Sequence, residues 1–187
     1  MQEKNAEKAG FTKSVKKNRS VLLGGLILAL IITGGAYVLK KGDSSALYNS
    51  GEENYAGQNI RMTEVMLTVA EGQIAIPLAA VKENKIIYTQ YSRDNKTVPL
   101  TAFIAPSGNV VTAVSICEPC RGTRFHIEGE ELVCNACGTK WTLDGLEGTW
   151  GGCLKYPPEQ LVYKVDEAKA QIILNEQDVA GWQPRKL

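Results

Sequence analysis

Residues 117–145 read CEPCRGTRFHIEGEELVCNACGTKWTLDG, and two C-x-x-C pairs punctuate them: Cys117-Glu-Pro-Cys120 and Cys134-Asn-Ala-Cys137. Thirteen residues separate the pairs. A C-x-x-C knuckle turns the backbone so that both sulfurs emerge on one side, and a second knuckle completes a tetrahedron of thiolates. That donor set suits zinc, a single iron, or one wall of an iron–sulfur cluster.

The segment after each knuckle is also repeated. Gly122-Thr-Arg-Phe-His-Ile-Glu-Gly129 matches Gly138-Thr-Lys-Trp-Thr-Leu-Asp-Gly145 at an offset of 16, with only His126 against Thr142 dissimilar. Each half reads knuckle, glycine, aromatic, aliphatic, acidic-Gly turn. Gly122 and Gly138 are expected to let the backbone curl so that amide N–H groups point at thiolate sulfur. Phe125 and Trp141 hold matching places, either as a cover over the site or as ordinary core aromatics. The competing reading of the four cysteines is a pair of disulfides. It is disfavoured because the small loop within C-x-x-C is strained and usually catalytic, while no alternation of strand and helix of the thioredoxin kind surrounds it.

A fifth cysteine, Cys153 in Trp150-Gly-Gly-Cys153, makes the count odd. It is a replacement ligand, a ligand to a second iron, or a free thiol. His126, the only histidine, is read as a strand residue. A single histidine excludes a Rieske centre, which needs two on one iron, although the stretch from Cys137 to Gly145 and the Tyr156-Pro-Pro158 segment look like the second half of a Rieske-type domain.

On either side of the cysteine region lie short β-branched and apolar runs at 62–69, 73–77, 85–91, 98–105, 110–116, 161–165 and 171–174. Turn residues separate them at Glu83-Asn84, Asp94-Asn95 and Pro106-Ser107-Gly108-Asn109. This spacing predicts a mainly β fold, a small antiparallel sandwich or barrel carrying the two-knuckle metal subdomain at 117–153. Residues 79–82 and 166–170 are each long enough for a helical turn.

Further out, Val21 to Leu39 form 19 residues without a charge. As a helix they would span about 28 Å, close to a hydrocarbon core of about 30 Å. Six Lys/Arg against two Glu precede this run in residues 1–20, while only Lys40 and Lys41 come directly after it. The positive-inside rule then predicts a cytoplasmic basic tail (1–20), a transmembrane signal anchor (21–39), a linker (40–57) and an extracytoplasmic β domain (58–187). A buried core helix and a cleaved signal peptide are the alternatives. Lys40, Lys41 and Asp43 make a poor approach to a cleavage site, and no cysteine lies close enough beyond the run to anchor a lipid. From residue 42 onward, 13 Lys/Arg stand against 18 Asp/Glu, and an acidic domain argues against a nucleic-acid partner.

These residues resemble the FtrD-like membrane iron-sulfur proteins. The resemblance rests on Leu100-Thr-Ala-Phe-Ile-Ala105 leading to Ile116-Cys117-Glu-Pro-Cys120, the Glu128-Gly129 turn, Val133-Cys134-Asn-Ala-Cys137, and Gly151-Gly-Cys153 followed by prolines, and it covers roughly residues 60–165. It implies an iron–sulfur domain beside the membrane, tied in some bacteria to ferrous iron uptake or to electron delivery to a membrane partner. Carried over by position, Cys117, Cys120, Cys134, Cys137 and Cys153 are the cofactor-binding candidates. With one expected span where relatives can have many, the chain is read as an accessory.

Three functions compete. The first is a redox carrier holding iron or an iron–sulfur cluster and serving a membrane transporter or redox complex. The second is a zinc-stabilised module that docks such a partner. The third is a thiol oxidoreductase or metal chaperone using Cys153 with one knuckle. A stand-alone enzyme is disfavoured and no residue is assigned a catalytic role: there is no Gly-x-Ser-x-Gly motif, the lone histidine has no nucleophile to serve, and no Gly-rich phosphate loop occurs.

Overall fold

The computed structural model describes residues 48–186. The basic tail, the expected membrane span and the first part of the linker lie outside them. Among the described residues no helix is long and apolar enough to cross a membrane.

The domain is mainly β, as the spacing of apolar runs predicts. Its strands in chain order are β1 (Asn59–Arg61), β2 (Thr63–Glu64), β3 (Thr68–Ala70), β4 (Gln73–Pro77), β5 (Ile86–Arg93), β6 (Lys96–Ile104) and β7 (Val110–Val114). They continue with β8 (Phe125–Glu128), β9 (Glu131–Cys134), β10 (Lys140–Thr142), β11 (Gly148–Trp150), β12 (Tyr163–Asp166) and β13 (Gln171–Asn175). Two short helices join them, α1 (Leu78–Asn84) and α2 (Glu176–Gly181). Every strand pair is antiparallel except β2 beside β5.

The strands make three sheets rather than one sandwich: β2-β5-β6-β7, β12-β13-β4-β3 and β1-β8-β9-β10-β11. The β2-β5-β6-β7 sheet is the middle layer, because its alternating side chains feed two separate cores. On β6, Val98, Leu100, Ala102 and Ile104 join Ile74, Ile76, Val81, Ile172 and Leu174 in an aliphatic core. Phe103 and Ala105 point the other way and join Phe125, Ile127, Leu132, Trp141 and three cysteines. Successive residues of a strand face opposite sides, so burial on both faces explains why 98–105 and 110–116 read as near-continuous apolar runs rather than alternating ones.

Local chemistry sets the connections. Asp94 and Asn95 both take positive φ, 50° and 63°, between Arg93 and Lys96, which pair across the hairpin. This is the geometry of a two-residue turn whose twist matches the strands, and Asp and Asn tolerate it best after glycine. Residues 79–82 extend into α1, which runs through the expected Glu83-Asn84 turn and stops at Lys85, whose φ is 64°. The stretch at 166–170 makes a tight turn between β12 and β13 instead of a helical one, with Asp166 Oδ1 accepting the Lys169 amide at 3.1 Å. α2 is capped by Asn175, whose side chain accepts from the amides of Gln177 and Asp178.

Residues 48–57, the described part of the expected linker, pack onto the domain. Tyr55 is buried in the cysteine-side core and donates to the Ile104 carbonyl at 2.7 Å. Ser50 N donates to Gly108 O, and Lys85 pairs with Glu53 at 2.8 Å.

Candidate metal centre

The first knuckle lies in the connection between β7 and β8, and the second begins on the last residue of β9. β8 and β9 form a hairpin over Gly129, which has φ 59°, and register pairs Phe125 with Cys134. β10 then pairs with β9, bringing the second knuckle back over the first. The two knuckles fold alike. Cys117 N donates to Gly122 O at 2.7 Å and Cys134 N donates to Thr139 O at 3.0 Å, the same five-residue reach in each. The residue after each second cysteine has positive φ, 57° at Arg121 and 72° at Gly138.

This equivalence refines the repeat. The aromatic arms match at an offset of 16, whereas the knuckles match at 17, because Arg121 is an extra residue before Gly122. Arg121 therefore takes the left-handed position, and Gly122 is glycine for lack of space. A Cβ there would lie 2.8 Å from Ala136 Cβ and 2.9 Å from Cys134 Sγ.

All five cysteines are free thiols. The Sγ atoms of Cys117, Cys120, Cys134 and Cys137 lie within 4.8 Å of one another. Cys117 and Cys137 are 3.9 Å apart, Cys120 and Cys134 3.7 Å. Four thiolates about 2.3 Å from one ion in tetrahedral array stand about 3.8 Å apart, which these two separations match. Thiolates on different irons of a cluster diverge further.

Amide groups point at the sulfurs in matching pairs. Cys120 N–H faces Cys117, and Cys137 N–H, joined by that of Ala136, faces Cys134. Gly122 N donates to Cys120 Sγ at 3.4 Å, and the Thr139 amide does the same for Cys137. Such bonds lower the cost of gathering negative sulfur in a small volume.

Electrostatics separates the four. Burial pushes the Cys117 thiol far up and that of Cys134 up to about 12. At Cys137 burial also pushes upward, but hydrogen bonds from the Thr139 hydroxyl and amide, with those from Cys120 and Cys134, outweigh it and bring the thiol down to about 6. Buried thiols that resist ionisation alone give up their protons to a bound cation, because the cation supplies the opposite charge.

Phe125 and Trp141 are fully buried beside the cysteines, edge to face with centroids 6.2 Å apart. Trp141 Nε1 donates to Leu154 O at 3.2 Å. Core packing and cover of the site are here the same act. His126 lies in β8, and its Nδ1 is 2.7 Å from Asn135 Oδ1. It is not among the clustered donors. Cys153 stands just outside the four, its Sγ 3.9 Å from that of Cys137.

Two residues escape motif reading. Thr139 is fully buried, with Oγ1 3.3 Å from Cys137 Sγ and accepting Cys153 N at 3.2 Å. Glu118, inside the first knuckle, is buried and accepts from Arg185 N at 2.6 Å and Arg185 Nε at 2.5 Å, tying the end of the chain to the site. The one signal for Glu118 was a charge within a C-x-x-C, and Thr139 had only its place in the repeat.

Fold and site together define a class: a β domain that gathers four thiols into a cluster able to hold a metal ion. Residues 81–185 match the family described as membrane iron-sulfur containing protein, FtrD-like. The chain belongs to that family, which makes it a metal-binding, iron-related protein of a membrane-associated group. No curated protein matches the chain.

Proposed function

We propose that Cys117, Cys120, Cys134 and Cys137 bind iron and that the domain passes single electrons to or from a membrane partner as an accessory to iron uptake. The observation that carries this reading is the convergence of four sulfurs within 4.8 Å while one of them, Cys137, is exposed. Iron, rather than another thiophilic metal, is taken from the family's description. The bound iron would supply one-electron chemistry. The chain's own contribution is to hold the thiolates, to aim amide groups at them, and to exclude water from the buried side with Phe125 and Trp141. The apolar run at 21–39 would anchor the domain outside the membrane, with the basic tail inside.

The zinc-stabilised docking module is the second reading, and the same compactness favours it, since a closed four-thiolate cage with one ion is what structural zinc adopts. The two readings separate in one measurement. Anaerobic purification of the full chain, with metal analysis and a visible spectrum, is expected to give iron and thiolate-to-iron absorption. One zinc per chain and no absorbance beyond the protein band would end the electron-transfer reading.

A further inference from the structure

Cys153 is the thiol beside the centre that a four-sulfur cage does not use. Its neighbour Cys137 is the exposed residue of the group, whereas Cys117, Cys134 and Cys153 itself are buried. Thr139 fixes the pair from beneath: its Oγ1 accepts the Cys153 amide at 3.2 Å and lies 3.3 Å from Cys137 Sγ. Gly151 makes the approach possible, because a Cβ there would fall 2.6 Å from Thr139 Oγ1. A Cβ at Gly152, by contrast, would meet nothing within 4 Å. The loop is thus held at the Cys153 amide beside Thr139, which leaves the two sulfurs a gap of 3.9 Å to close to a disulfide bond of about 2.05 Å.

We propose that Cys137 and Cys153 form a reversible oxidation site, Cys137 meeting a hydroperoxide and Cys153 resolving the product as a disulfide. In the first step the Cys137 thiolate attacks the peroxide O–O bond. A sulfur–oxygen bond forms, the O–O bond breaks, and the departing alkoxide, or hydroxide from hydrogen peroxide, takes a proton from water. In the second step the Cys153 sulfur attacks the resulting sulfenic acid. The S–S bond forms, the S–O bond breaks, and hydroxide leaves as water with the Cys153 proton. Two electrons pass from the two sulfurs to the peroxide.

Cys117 lies as near to Cys137 as Cys153 does, at 3.9 Å. It is the weaker resolver because it remains one of the ion's ligands when Cys137 is oxidised, so that its attack would cost the ion a second thiolate. Cys153, outside the four, attacks without that cost. The consequence rests on the reading of Cys137 as a metal ligand: the disulfide withdraws one thiolate, and the three that remain release the ion.

The test uses the full chain, loaded with metal under reducing conditions and its metal content measured before treatment. It is then exposed to hydrogen peroxide, mapped by peptide mass spectrometry, reduced with dithiothreitol and offered metal again. The first crosslink is expected between Cys137 and Cys153, with metal lost in step and recovered nearly in full after reduction. In Cys153→Ser, Cys137 is expected to advance to the irreversible sulfinic acid, and recovery, normalised to that variant's own starting content, falls several-fold. A first crosslink of Cys117 to Cys137 or of Cys120 to Cys134, or full recovery in Cys153→Ser, would overturn the proposal. A chain that holds no metal before treatment would count against the metal centre, while the crosslink map would still decide the pairing.

Discussion

The two knuckles share one amide-to-sulfur hydrogen bond at each of their cysteines and face different surroundings. In the first, Cys117 is fully buried, Glu118 is buried against Arg185, and the space beside Gly122 is taken by the sulfurs, so that a Cβ there would lie 2.9 Å from Cys134 Sγ. In the second, Cys134 is buried as well, but Asn135, Ala136 and Cys137 are all exposed, and a Cβ at Gly138 would meet nothing nearer than Trp150 at 3.7 Å. A repeated local unit therefore builds a centre with a closed side and an open side. The closed side holds the geometry, and the open one is where solvent reaches the site.

Exchanging one cysteine from each knuckle gives the largest contrast. Cys117→Ser places a hydroxyl in the core among Phe125, Leu132 and Trp141 and removes a buried sulfur of the proposed centre. Metal binding to small thiolate domains contributes on the order of 10 kcal/mol of apparent stability, so this variant is expected to lose its metal and unfold the cysteine-side sheet. Cys137→Ser makes its change at the surface. It is expected to bind metal more weakly yet keep the domain folded, with Cys153 3.9 Å from the vacated position. Metal analysis and thermal unfolding in parallel check the pair, and equal losses of fold in both would break the distinction between closed and open sides.

The glycines give a smaller contrast of the same kind. Gly122→Ala drives a methyl to within 3 Å of Ala136 Cβ and Cys134 Sγ, and overpacking of this kind costs about 1–3 kcal/mol. Because the crowded atom is a sulfur of the proposed centre, metal affinity should fall together with stability. Gly138→Ala has room and is penalised only for its positive φ of 72°, about 1 kcal/mol. Chelator competition against thermal midpoint separates the two: the first variant is expected to shift both, the second chiefly the midpoint.

How much of this arrangement is legible in the sequence depends on the range of the interactions. The knuckles, their repeat and the Asp94-Asn95 hairpin are local, so spacing and turn chemistry expose them. The division into three sheets is hidden, because alternation on β6 tells which side chains share a face and leaves open that Leu100 and Phe103 enter separate cores. Tyr55 stands in a polar stretch whose composition is that of a spacer, and only its long-range bond to Ile104 O shows that it belongs to the core. Thr139 and Glu118 are illegible for a related reason. Each is a polar residue whose partner is distant in sequence, Cys153 for one and Arg185 for the other.

That last pair sets the finest test of the closed side. Glu118 carries its charge within two residues of both first-knuckle cysteines and is almost fully buried, while Arg185 is half-buried and also donates to Pro157 O at 2.6 Å. Removing the guanidinium leaves a buried carboxylate with one fewer donor, since the Arg185 backbone N–H at 2.6 Å can stay. Loss of a partner to a buried polar group costs about 1–3 kcal/mol. Arg185→Ala is therefore expected to lower the unfolding midpoint modestly and to loosen the first knuckle, read as faster metal loss to a chelator. Glu118→Gln should recover part of that loss in the Arg185→Ala background, because a neutral amide is cheaper to bury unpaired than a carboxylate. If the double variant is no more stable than Arg185→Ala alone, the tail contributes packing rather than charge, and the closure of the first knuckle rests on its sulfurs and Gly122.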